Sequence, residues 1–215
     1  MKNYHLAILD RNQKVVLPKL GFLSDRGFYL AGGTALALQL GHRTSIDFDF
    51  YIQKHFDTKG LIDEIEEVFE DSAEVILREK DTVFVNVSGV DCSFFWYQYP
   101  LIEKAENIKG VKVASCQDIA AMKLIAISHR PVKRDYIDIY YLLEKFSLRE
   151  MFSFVNKKYP NFNQYFAFRA LTYFEDIGER EGKRPIKVIG KDFSWEEAKK
   201  KIFEEVQKYQ LGMFR

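Results

Sequence analysis

Up to about residue 110 the apolar positions come in short, punctuated runs, and beyond it they recur at helical spacing. Leu17, Leu20 and Leu23 predict a short helix in the stretch before Asp25. Gly27 interrupts it, and Phe28 to Ala31 reads as a short buried strand. Ala35 to Leu40 is a run of strong helix formers closed by Gly41, in the place of a helix stop. Ser45 to Tyr51 is a second strand. Phe56 to Phe69 sets Leu61, Ile62, Ile65, Val68 and Phe69 on one face and acidic residues on the other, the pattern of an amphipathic helix lying on a sheet. Val83, Val85 and Val87 alternate, and a Ser88–Gly89 turn leads into Val90 to Trp96, so Thr82 to Trp96 predicts a β-hairpin.

After Pro100 and Gly110 the period lengthens. Ser115–Cys116–Gln117–Asp118 resembles a capping box with Asp in place of Glu, opening a helix to about Ser128 that Pro131 ends. Arg134 to Phe146 is the next helix, and Ser147 to Phe174 supplies one or two more. Gly178 to Gly190 reads as a loop or small hairpin, and Ser194 caps a final helix to about Gln210. The expected architecture is α+β: a mixed sheet with flanking helices over residues 1–110, followed by a helical lobe over residues 111–215, with the seam near Ile108 to Ser115.

Composition narrows this picture little. The 32 basic and 31 acidic residues nearly cancel, so no global field argues for nucleic acid. Cys92 and Cys116 form neither a metal spacing nor a disulfide framework, and they read as small buried hydrophobes. No apolar run is long enough to span a bilayer and no signal peptide is evident, so no membrane partner is expected and the cytoplasm is the expected compartment.

Candidate chemistry gathers between Phe28 and Tyr51. Residues two apart on a strand share a face, so Asp47 and Asp49 point one way while Ile46, Phe48 and Phe50 point into the core. Such a pair suits a divalent cation, or it is a pair of edge aspartates facing water. Asp91 stands in an otherwise apolar strand, where Asp is disfavoured. It reads as a third carboxylate, able to hold metal or take a proton, or as a turn aspartate.

Gly32–Gly33–Thr34, at a strand-to-helix junction, can cradle a phosphate, or it is a tight turn with Thr34 as N-cap. Arg43 can clamp phosphate or sit in a surface ion pair. Lys123 lies in Ile119 to Ile127, a helix apolar nearly all round, and Arg130 falls on the same face. The two can offset triphosphate charge, or Lys123 is held in an internal ion pair, for instance with Asp138. Asp135 and Asp138 share one helix face; Asp135 suits a first turn and Asp138 suits orienting Lys123.

Taken together, GGTALALQLGHRTSIDFDF (Gly32 to Phe50), VDCSFFWYQYPLI (Val90 to Ile102), SCQDIAAMKLIAIS (Ser115 to Ser128) and KRDYIDIYYLL (Lys133 to Leu143) resemble the nucleotidyl transferase AbiEii/AbiGii toxin family, a branch of the DNA-polymerase-beta-like nucleotidyltransferases. The resemblance implies a phosphate turn at Gly32–Gly33–Thr34, metal ligands at Asp47 and Asp49, and a third carboxylate at Asp91. It also implies nucleotide contact and site assembly by Lys123, Asp135 and Asp138. Two departures stand out. Gly33 replaces the superfamily's serine, so that its hydroxyl contact is either absent or taken over by Thr34, and Pro131 replaces a frequent glycine before Lys133.

The expected function is Mg²⁺- or Mn²⁺-dependent transfer of a nucleotide from an NTP to an acceptor hydroxyl, with pyrophosphate leaving; the resemblance implies tRNA or another RNA as the acceptor. The resemblance adds the role of a toxin with a cognate antitoxin. The rival readings are an NTP-binding regulatory module without catalysis and a structural protein on the same fold. Lys157–Lys158–Tyr159 and Lys183–Arg184 are candidate RNA contacts or ordinary surface.

Overall fold

A computed structural model describes residues 4–177, 187–189 and 193–212. The loop expected over Gly178 to Gly190 lies outside the described residues except for 187–189. The chain divides into two compact units, Met1–Ser115 and Cys116–Arg215.

The first unit is built on a mixed seven-stranded sheet in the order β3-β4-β5-β2-β1-β7-β6. Its strands are β1 (Tyr29–Ala31), β2 (Asp47–Ile52), β3 (Ala73–Glu79), β4 (Thr82–Val87), β5 (Val90–Trp96), β6 (Glu106–Ile108) and β7 (Val111–Val113). β2 runs parallel to β5, and β1 parallel to β7. The remaining neighbours are antiparallel. Around the sheet lie α1 (Arg11–Lys19), α2 (Gly32–Leu40) and α3 (Thr58–Phe69).

Alternation decides which face is covered. Phe48, Phe50, Val83, Val85, Val87, Val90, Cys92 and Phe94 are all buried, and the Phe50 and Phe94 rings stack 5.3 Å apart. Each such phenyl ring contributes about 2–3 kcal/mol on leaving water. Against this core α3 packs Leu61, Ile62, Ile65 and Phe69, whereas Val68, assigned to the apolar face from sequence, is 36% exposed.

The N-terminal helix is shorter than the leucine spacing predicts. An Asp10/Gln13 capping box opens α1, and the chain tightens into a 3₁₀ turn over Leu20–Ser24 after Pro18. α2 begins at Gly32, earlier than expected, with Ala31 as its N-cap; Gly41 closes it in the left-handed conformation. Three strands are additional to the sequence reading. β3 is an edge strand with a bulge between Val75 and Leu77 and no alternating burial, and β6 and β7 have only three residues each.

The second unit is helical: α4 (Cys116–His129), α5 (Lys133–Leu142), α6 (Leu148–Lys158), α7 (Gln164–Ala170) and α8 (Trp195–Leu211). Ala120 and Ala121 on α4 are fully buried, and α4 packs against α5, α6 and α7. A Ser147/Glu150 capping box opens α6, and the Ser194 side chain accepts from the Glu197 N–H to open α8.

Candidate active site

The site is built from the sheet face opposite that core. Along β2, Phe48, Phe50 and Ile52 are buried while Asp47, Asp49 and Tyr51 are partly exposed. β5 alternates likewise: Val90, Cys92 and Phe94 are buried, and Asp91, Ser93 and Phe95 are partly exposed. The parallel register pairs Asp47 with Asp91 and Asp49 with Ser93. Asp47, Asp49 and Asp91 therefore share one face on adjacent strands. Their charges act on one buried neighbour. Burial pushes the Cys92 thiol well above its ordinary pKa, and Asp91, Asp49 and Asp47 push it further. At neutral pH that thiol is inert.

The glycine turn is packed against one of these carboxylates, Asp49, and against Arg43. Gly32 has φ +70°, and a Cβ there would lie 2.6 Å from Asp49 Oδ2. A Cβ on Gly33 would lie 2.5 Å from Arg43 Nη2. Both glycines thus make room for the protein's own charged groups, one anionic and one cationic. Thr34 is buried, and its hydroxyl donates to the carbonyl of Asp47 at 2.5 Å, tying the first turn of α2 to the start of β2. Thr34 is therefore inside the helix and not its N-cap.

Arg43 is 3% exposed, so the surface ion pair considered from sequence does not describe it. Its Nη1 donates to the Thr44 carbonyl at 2.9 Å. The loop that carries it is anchored by Gln13, fully buried, whose Nε2 donates to the Ser45 carbonyl at 2.9 Å. Across the sheet, Asn86 Nδ2 donates to Asp91 Oδ1 at 2.8 Å. Gln13 and Asn86 are missing from the sequence reading. The signal that flagged Asp91, a polar residue within an apolar strand, would also have found Asn86 between Val85 and Val87.

A second cluster lies within the helical unit. The Lys123 ammonium, on α4, contacts Asp135 Oδ1 at 2.6 Å and Asp138 Oδ2 at 2.5 Å, both on α5. All three side chains are at most 8% exposed. The internal pair with Asp138 is present, and Asp135 joins it. Arg130 lies past the end of α4 and is exposed. Lys158 is not a surface residue: it is fully buried and its Nζ donates to Asp118 at 2.8 Å, with Asp118 equally buried. Tyr159 is buried as well, Lys157 is exposed, and Lys183 and Arg184 lie outside the described residues.

Among the described residues no three Asp, Glu, His or Cys side chains are arranged to hold an ion. The chemistry of the sheet face nevertheless fits a hard divalent cation, because its acidic donors are carboxylate oxygens. Asp49 also sits in a cradle that a Cβ on residue 32 would fill. Among the described residues no helix is long and apolar enough to cross a membrane.

The chain is 36% identical over 212 residues to an uncharacterised protein of Aquifex aeolicus, aq_aa25, covering 94% of this chain and 97% of that one. JHP933 from Helicobacter pylori has the same fold, with a TM-score of 0.56 at 15% identity over 94% of this chain and 91% of its own. MenT4, a nucleotidyltransferase toxin from Mycobacterium tuberculosis, shares it too, with a TM-score of 0.51 at 14% identity over 89% and 80% of the two chains. The family model for the nucleotidyl transferase AbiEii toxin of type IV toxin–antitoxin systems matches residues 22–109 and 98–212. The match spans the glycine turn, all three sheet carboxylates and the Lys123 cluster; the chain belongs to the nucleotidyl transferase AbiEii toxin family.

Proposed function

We propose that this nucleotidyltransferase works on the carboxylate face of the sheet, taking an NTP with Mg²⁺ or Mn²⁺ and transferring its nucleotide to an acceptor hydroxyl. The observation that carries this reading is the β2–β5 register, which sets Asp91 beside Asp47 with Asp49 on the same face. Asp47 and Asp49 would hold the cation, with Asp91 completing the set or receiving the proton of the attacking hydroxyl. The cation, when bound, supplies Lewis-acid stabilisation of charge at the phosphorus and at the leaving pyrophosphate. Gly32 and Gly33, at the start of α2, present backbone N–H groups and the positive end of the helix to phosphate oxygens. Arg43, stacked on Gly33, adds a fixed positive charge beside that turn. Lys123, Asp135 and Asp138 enter as a charge cluster that fixes α4 to α5.

The acceptor we infer is an RNA such as tRNA, in the cytoplasm, with a cognate antitoxin restraining the activity; membership of a toxin family supports the antitoxin. The test is incubation with each labelled NTP, Mg²⁺ and total cellular RNA, beside Asp47→Ala and Asp49→Ala variants and a chelator control. Transfer to RNA that vanishes in both variants and with chelator is the expected result. Transfer that survives both substitutions sinks the metal assignment, and label appearing on protein alone sinks the RNA acceptor.

A further inference from the structure

We propose that Asn86 is a positioning residue for Asp91: its amide fixes the rotation of that carboxylate and so its aim at the cation and the acceptor hydroxyl. The inference rests on the metal-site reading above and goes beyond it by assigning a part to β4.

Asn86 lies directly opposite Asp91 in the β4–β5 hairpin. Ser88 and Gly89 between the strands have φ of 51° and 81°, the left-handed pair of a tight two-residue hairpin turn. The Gly89 N–H donates to Asn86 Oδ1 at 2.9 Å. With Oδ1 committed to the turn, the amide has one orientation, and its NH₂ faces Asp91 Oδ1 at 2.8 Å. The amide thus converts the rigidity of the turn into a fixed torsion for a carboxylate two residues further on.

The residue type fits the task. A lysine here would neutralise Asp91 and compete with an incoming cation, and a carboxylate would repel it. A neutral NH₂ holds one oxygen without cancelling the charge that the other presents. Groups that orient a metal-binding carboxylate in this way typically affect metal affinity or activity by about 10–100-fold.

The alternative is that Asn86 serves the turn alone. Asn86→Asp separates the two roles, because a carboxylate still accepts from the Gly89 N–H but has no N–H to give Asp91. The comparison is between the wild-type chain, Asn86→Asp, Asn86→Leu and Asp47→Ala. Mn²⁺ binding is read by electron paramagnetic resonance with a non-hydrolysable NTP analogue, and transfer is read as kcat and KM. Asn86→Asp should melt within about 3 °C of the wild type. It should nonetheless lose about 10–100-fold in Mn²⁺ affinity or kcat, with KM for NTP little changed. Asn86→Leu, which loses both bonds, should show the same functional loss together with a lower melting temperature.

Wild-type Mn²⁺ affinity and kcat in Asn86→Asp would overturn the proposal. So would a loss that merely follows the unfolded fraction. If Asp47→Ala binds Mn²⁺ and transfers as well as the wild type, the metal-site reading itself has failed, whatever Asn86 does.

Discussion

The two units treat their aspartates in opposite ways. In the helical unit Asp118, Asp135 and Asp138 are at most 3% exposed, and each contacts a lysine. In the sheet unit Asp47, Asp49 and Asp91 are partly exposed and gathered on one face, two of them register partners. A carboxylate enclosed with its own counter-ion has its charge answered within the fold, and its loss is felt as instability. Like charges collected on a partly open face repel one another, and a cation from outside relieves them. The first arrangement serves the fold, and the second suits chemistry.

The largest expected effect tests the enclosed group. Asp118→Ala leaves the Lys158 ammonium buried, and removing one partner of a buried pair costs about 3–5 kcal/mol. That is a large part of the roughly 5–15 kcal/mol that holds such a chain folded. Urea titration should show the loss, and Asp118→Leu combined with Lys158→Met should recover most of it. Burial also lowers the Lys158 pKa below its unfolded value of 10.5. Between the two values the unfolded chain binds more protons, so this group's contribution to stability rises with pH and falls as the ammonium forms. The slope should disappear in Lys158→Met.

The sheet carboxylates should behave conversely. Asp47→Ala and Asp49→Ala should each lower transfer by about a thousandfold, equivalent to about 4 kcal/mol at the transition state. Melting temperature should move little by comparison with Asp118→Ala, because these side chains are partly exposed. A variant that unfolds while its residual folded fraction stays active would erase the distinction between the two units.

How much of this was legible beforehand follows the same division. Strand period alone placed Asp47 and Asp49 on one face, because alternation is a local property of the backbone. The pairing of Asp91 with Asp47 is a matter of register between β2 and β5, separated by α3 and two further strands, and no local pattern encodes it. Lys158 was misread as a candidate surface contact because its partner, Asp118, lies 40 residues away on another helix. β3, β6 and β7 escaped for a different reason: an exposed edge strand and three-residue strands carry too little alternation to read.

Gly32→Ala is expected to have an intermediate effect. The φ of +70° costs an L-residue about 1–2 kcal/mol, and the new Cβ would displace the Asp49 carboxylate it meets at 2.6 Å. Both stability and transfer should therefore fall together, unlike in Asp49→Ala, where only transfer should. Loss of stability with unchanged kcat would detach Asp49 from the chemistry.

Thr34→Val has the smallest expected effect and the finest resolution, because the Thr34 hydroxyl belongs to the first turn of α2 yet can be read as serving either fold or phosphate. Its side chain is buried and donates to the Asp47 carbonyl, which is the part of a structural hydrogen bond worth about 1 kcal/mol. Removing it should lower the melting temperature by about 2–4 °C for a chain of this size. KM for NTP should stay unchanged in Thr34→Val and equally in Thr34→Ser, which keeps the hydroxyl and gives up only a buried methyl. An unaltered melting temperature with a raised KM would instead put the hydroxyl on the triphosphate. The buried polar group would then belong with the sheet carboxylates, and burial would no longer separate groups that serve the fold from groups that serve the chemistry.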